Sequence, residues 1–366
     1  MLFRSVEAQF WDEVGSYIDF TRPEAAQWWR AQVTTSLLDQ GMEATWNDNN
    51  EYEVWDRRAC FHGFGSPVAA AAMRPVQPLL MTRASRQAQI EARPGQRPYV
   101  VTRSGMAGLQ RYAQTWTGDN RTEWKTIRYN MRQAIGLALS GVSNSGHDVG
   151  GFSGPAPSPE LLVRWVQAGV LMPRFSIHSW NDDRTVNEPW MYPQALPAIR
   201  RLMALRQTLL PFLYDLLHRY HAAYDPMVRP LWLNFPGDPA AWAEGDDHLL
   251  GPDLLVAAVA EPGATMRTVR TPAGADWIDV WTGNRVAGGV IVELDAALDG
   301  PPPLLARAGS AMLVDLATGG WRPEPYKRGI WLFPPGKGPF AWSAAEDGGD
   351  GDGPIDRWRM KGQADA

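Results

Sequence analysis

Apolar residues recur at helical spacing early in the chain: after Thr21-Arg22-Pro23-Glu24, the side chains of Trp28, Trp29, Val33, Leu37 and Leu38 share one face, and Gly41 follows. Thr21 and Glu24 have the spacing of a capping box and Pro23 suits a first turn, so the pattern predicts a helix that stops at Gly41. The period then shortens. "MEATWND" and the β-branched "RPYVVTRS" (97–104) read as strands, and "TWTGD" (115–119) as a brief third. Next, Asn120-Arg121-Thr122-Glu123 predicts a capped helix start, with Asn120 as the cap, and Trp124, Ile127, Met131 and Ile135 keep the 3.6-residue period. "LALSGVSNSGHDVGG" supplies another strand and loop, and Ser158-Pro159-Glu160 opens a helix reaching Gly169. "LMPRFSIHS" reads as one more strand, and a long helix is expected from about 192 to 224.

Strands alternating with helices argue for a parallel α/β barrel or sheet. From Asp225 the texture changes: "LLGPDLLVAAVA", "DWIDVWTG" and "GVIVELD" are short apolar strands punctuated by Gly and Pro, which predicts an all-β region. The acidic, glycine-rich "AAEDGGDGDGP" is expected to be a loop leading into a poorly ordered terminus.

Composition narrows the function classes. With 366 residues, 45% apolar, and 18 tryptophans, the chain can bury a large core and is long for one domain. A net charge of −5 without a Lys/Arg stripe leaves no electrostatic footprint for nucleic acid. The single cysteine, Cys60, excludes an intrachain disulfide and a cysteine-based zinc site, and is expected to be a small buried side chain. No apolar run is long enough to span a membrane, and "MLFRSVEAQFWDEVG" lacks the apolar core of a signal peptide, so a cytoplasmic location is expected.

In a barrel, chemistry gathers at the C-terminal ends of the strands. Those ends here carry Asp48, Arg103, Asp119, the pair His147-Asp148, and His178. Two carboxylates from different strands, flanked by Trp46 and Trp116, suit glycosidic bond cleavage, in which one acid protonates the leaving oxygen and one carboxylate stabilises or attacks the sugar carbon. Glu51, Glu53 and Asp56 read as loop charges, Glu51 also as a hydrogen-bond acceptor beside the site. His147 and Asp148 have no third ligand at a metal-site spacing, so neither a metal nor another cofactor is expected. His62, His218, His221 and His248 read as surface or core histidines.

The segments "WNDNNE", "TRSGMAGLQRYAQTWTGDN", "GHDVGGF" and "PRFSIHS" follow one another in the order seen in glycoside hydrolase family 31. Over roughly residues 8 to 345 the chain therefore resembles that family, whose best-known members are retaining α-glucosidases. The resemblance implies an N-terminally incomplete (β/α)8 TIM-barrel catalytic domain over 1–225, a C-terminal β-sandwich over 226–310, and the start of a second β region with a flexible tail over 311–366. It places the nucleophile on Asp48 and the acid/base on Asp119. Arg103 matches an arginine aimed at sugar hydroxyls, His178 a histidine that holds them, and Trp11, Trp46, Trp116, Asp148 and Phe152 positions lining the same subsite. The implied activity is retaining cleavage of terminal α-linked glucosyl residues from oligosaccharides through a covalent intermediate. An α-xylosidase, an α-glucosyltransferase and an inactive fragment are the alternatives. The implied partner is an α-glucoside oligosaccharide, with no nucleic acid and no membrane.

Two departures qualify the match. Relatives carry a β-sandwich and further barrel strands ahead of the point where this chain begins, including an aspartate that clamps sugar hydroxyls, so the sequence reads as part of a longer gene. An open arc of strands would leave unpaired edges, which favours association and makes a homo-oligomer an expected form. Asn49 stands where relatives often have methionine, beside the expected nucleophile.

Overall fold

The first predicted helix forms as Pro23–Ser36, followed by the 3-10 turn Leu38–Gln40, and Gly41 ends it at φ 92°. The capping box does not form: Arg22 is the N-cap and makes no side-chain cap bond. Thr21 Oγ1 instead donates to Asp19 Oδ1 at 2.6 Å and accepts Gly63 N at 2.9 Å, so its hydroxyl is committed to the neighbouring loop. The computed structural model describes residues 6–10, 13–243, 245–317, 327–349 and 353–364; Trp11 and the acidic positions 350–352 lie outside them. Two units are distinguished, Met1–Trp116 with Asp350–Gly353, and Thr117–Gly349 with Pro354–Ala366.

In the first unit the strands Ala44–Asn47, Tyr99–Thr102 and Gln114–Trp116 pair in parallel, in sequence order. A helix absent from the sequence reading, Val76–Ala92, packs on them. Its buried side chains include Gln77, Thr82, Ser85 and Gln89, so it has no clean apolar stripe to announce it. Three of those groups bond the sheet, Ser85 Oγ to Asn47 Oδ1 at 3.0 Å, Thr82 Oγ1 to Thr102 Oγ1 at 3.1 Å and Gln89 Nε2 to Thr45 Oγ1 at 2.9 Å, while Gln77 accepts Phe20 N at 2.8 Å and donates to Asp19 Oδ1 at 2.9 Å. Cys60 is exposed, contrary to expectation. It lies on the short strand Cys60–Phe61, where Phe61 faces the core and the alternation turns Cys60 outward.

The second unit continues the alternation with Trp124–Leu139, Ser145–Asp148, Pro159–Gly169, Arg174–Ser176 and Leu196–Ala223. Its two strands pair in parallel, Gly146 opposite Arg174 and Asp148 opposite Ser176. Ser158 caps its helix as predicted, Oγ accepting Leu161 N at 3.2 Å. The same unit holds a six-stranded antiparallel sheet, ordered Val228–Arg229, His248–Leu250, Leu254–Val256, Leu304–Arg307, Trp277–Asp279 and Arg285–Val286. Period-two alternation sends Leu250, Leu254 and Ile278 into one core with Trp165, Ile199 and Leu209 of the helices. Their neighbours Leu249, Leu255 and Trp277 face the other way, onto the two-stranded antiparallel sheet formed by Met266–Arg270 and Ile291–Asp295. The described part of the expected flexible tail is ordered: Asp356–Ala364 pairs antiparallel with Gly338–Glu346 over its whole length.

Candidate active site

Each predicted polar group sits at or just beyond the C-terminal end of a parallel strand. In the first unit, the Ala44–Asn47 strand ends with Asn47 buried, and the next residue, Asp48, turns outward with its side chain 43% exposed. Asn49 follows at φ 50°, a conformation asparagine tolerates better than most residues, and its N–H donates to Asp48 Oδ1 at 2.8 Å. Arg103 leaves the neighbouring strand bonded through its own N–H to Asn47 O at 3.0 Å. Its Nη1 lies 3.3 Å from Asp48 Oδ1, and its Nε 2.6 Å from Glu51 Oε1.

Asn50 fastens this loop to the next: Nδ2 donates to Thr102 Oγ1 at 3.0 Å and Oδ1 accepts Ser104 N at 2.9 Å. Asn50 is buried, yet nothing in the polar run of residues 47–51 separates it from its exposed neighbours. Trp46 is 41% exposed and rests edge-on against the buried ring of Trp116 at 4.7 Å. The unit thus gathers an outward carboxylate, a guanidinium shared between two acids, and an exposed indole face beside them in sequence.

In the second unit Asp119 is exposed, one residue after Gly118 at φ 75°. Asn120 is not the helix cap expected of it, since Glu123 takes that position. Its Nδ2 donates to Asp148 O at 3.1 Å and its Oδ1 accepts Phe152 N at 2.9 Å, so it ties the Asp119 loop to the "GHDVGGF" loop. Gly151 there has φ 89°, and a Cβ on it would lie 2.2 Å from Thr122 Oγ1, so only glycine fits that turn. Phe152 is half-buried with its ring 5.2 Å from exposed His178.

Asp148 is fully buried, 3.9 Å from Nη1 of Arg174, itself almost fully buried. Arg174 was not singled out by the sequence reading; the available signal was a charged residue inside the apolar run "LMPRFSI". Neighbouring His147 is fully buried and neither ring nitrogen has a hydrogen-bond partner among the described residues. Burial, reinforced by Arg174, holds its pKa down at about 3, so the ring is neutral. Trp11 lies outside the described residues.

Comparison with known proteins places these halves in a family. The model of the glycosyl hydrolases family 31 TIM-barrel domain matches residues 3–216, and that of the family 31 C-terminal domain matches residues 224–312. Alpha-glucosidase 2 of Bacillus thermoamyloliquefaciens is 31% identical over 326 residues, covering 87% of this chain and 41% of that protein. Neutral alpha-glucosidase C of Homo sapiens is 33% identical over 333 residues, covering 87% of this chain and 36% of its own. The chain thus spans about two fifths of the length of these relatives. The crystal structure of a Tris-bound glucosidase II alpha subunit shares the fold, with a TM-score of 0.87, 24% identity, and coverage of 98% of this chain and 40% of that one.

Proposed function

The chain belongs to glycosyl hydrolase family 31, and on that premise we propose that it cleaves terminal α-linked glucosyl residues from oligosaccharides with retention of configuration. The observation that carries the reading is the placement of its polar groups. Asp48, Arg103, Asp119 and His178 each follow a parallel strand within three residues, and Asp148 ends one. That is where a barrel of this kind assembles its chemistry.

In this mechanism the Asp48 carboxylate attacks the anomeric carbon while Asp119 gives its proton to the departing glycosidic oxygen. The glycosyl ester on Asp48 is then cleaved by a water whose proton returns to Asp119. Arg103, with Nη1 3.3 Å from Asp48 Oδ1, holds that carboxylate oxygen in place for attack. Transfer to a sugar acceptor would use the same ester, with a hydroxyl in place of water. The test is release of p-nitrophenol from p-nitrophenyl α-glucoside by the 366-residue chain beside Asp48→Ala and Asp119→Ala. Activity lost on Asp48→Ala supports the reading; activity that survives it refutes the assignment.

A further inference from the structure

Three segments run side by side just beyond the strand ends of the second unit. Arg121 bridges in parallel to Ser153, with Thr122 N donating to Ser153 O at 2.8 Å and Ser153 N to Asn120 O at 3.0 Å. The 152–154 segment bonds in turn to 180–182: Trp180 N donates to Phe152 O and Asp182 N to Gly154 O, both at 2.8 Å, while Gly154 N donates to Asp182 Oδ1 at 3.0 Å. Adjacent extended segments lie about 4.8 Å apart, so the Trp180 backbone stands two spacings, roughly 10 Å, from that of Asn120 and thus from the root of Asp119.

The loop bearing Trp180 is firmly braced. Fully buried Asn181 donates through Nδ2 to Thr185 Oγ1 at 2.9 Å and to Asn187 Oδ1 at 3.0 Å. Asn187 donates through Nδ2 to Gly151 O at 2.8 Å and through its N–H to Ser179 Oγ at 2.6 Å. On this rigid rim the Trp180 side chain is 62% exposed, and the Arg121–Asp182 ion pair at 3.7 Å supplies polar groups on the outer two of the three segments. An exposed indole is by itself ordinary on a protein surface. This one stands on a braced backbone two rungs from that of Asn120, the residue after Asp119.

We infer that Trp180 is the stacking platform for the sugar on the leaving-group side of the scissile bond, so that the chain favours saccharide over small leaving groups. This rests on the reading of Asp119 as the acid of a glycosidase. The apolar face of a pyranose covers an indole ring and excludes water from both, while its hydroxyls stay free to bond at the edges.

The test compares maltotriose with α-glucosyl fluoride, whose leaving group is too small to touch the platform, in the parent chain, Trp180→Ala and Trp180→Phe. The expected result is a fall of about tenfold in kcat/KM for maltotriose in Trp180→Ala, through KM, with most of it restored in Trp180→Phe and the fluoride unchanged. Equal losses on both substrates, or no loss on either, overturn the proposal. If the parent chain turns over neither substrate, the glycosidase reading fails, and calorimetric titration still judges the platform. Maltotriose affinity weakened in Trp180→Ala with deoxynojirimycin affinity intact supports it; equal change, no change, or no maltotriose binding by the parent chain overturns it.

Discussion

Arg103 Nη1 lies 3.3 Å from Asp48 Oδ1, and the same guanidinium turns its Nε to Glu51 at 2.6 Å. A planar fork with donors on two edges can serve two carboxylates at once, whereas the ammonium of lysine is a single point of charge. Arg103→Lys is therefore expected to lower kcat/KM for an α-glucoside about tenfold, and Arg103→Ala about a hundredfold. Steady-state kinetics beside a thermal melt checks this. Parallel losses of melting temperature and activity would assign Arg103 to stability instead.

The roles proposed for Asp48 and Asp119 differ in what azide does to their alanine variants. Azide can replace the missing nucleophile in Asp48→Ala and give the β-glucosyl azide from an α-glucoside. In Asp119→Ala it attacks the glycosyl ester and gives the α-azide. Proton NMR of the product separates the two. The same anomer from both variants would contradict the division of labour.

Two buried histidines set an acid limit on the second unit. Burial holds His147 at about 3, and burial, partly opposed by Asp246, holds His248 at about 4, against an ordinary value near 6.5. Groups depressed in the folded state contribute stability above their unfolded value and lose it as pH falls toward the folded one. Each histidine thus removes about 1.4 kcal/mol per pH unit below about 6.5. Asp247 works against them: burial raises it to about 6 despite Arg267, so its contribution is full below about 4 and is lost as pH rises through 6. Urea melts at pH 6, 5 and 4 should show His147→Gln with a slope shallower than the parent's by about 1.4 kcal/mol per pH unit. Equal slopes would mean that His147 titrates in the folded chain.

Gln89 joins a helix to two strands in the first unit. Its Nε2 donates to Thr45 Oγ1 and Tyr99 O, each at 2.9 Å, and its Oε1 accepts Tyr99 N at 2.7 Å. Gln89→Leu keeps the volume and strands those partners, which is expected to cost about 1–3 kcal/mol. The urea midpoint reads this directly, and a shift worth less than about 0.5 kcal/mol would show that the site relaxes around leucine.

The strand ends that carry Asp48, Arg103, Asp119, Asp148 and His178 were legible because each follows a short β-branched or apolar run and precedes glycines or a helix start. The Ser158 cap was legible for the same kind of reason. The capping boxes at Thr21 and Asn120 were not, although their spelling was right: Thr21 turns to Asp19 and Gly63, and Asn120 to Asp148 and Phe152. A short polar side chain bonds whichever backbone group is nearest, and tertiary contacts supplied nearer ones.

By itself the sequence determined the alternation of strands and helices, the mainly β character after residue 225, interrupted by the short helix Leu231–Asn234 that it did not announce, and the loops that bear the acids, because side-chain period and turn chemistry act over a few residues. Tertiary structure alone decided that Val76–Ala92 is a helix with a polar buried face, that Asp356–Ala364 is a strand, that Cys60 faces outward, and that Arg174 is buried against Asp148. Burying a polar or charged group costs free energy that a partner offsets. For Gln89 and Arg174 those partners stand ten to forty-four residues away in the chain, where no local period can reveal them.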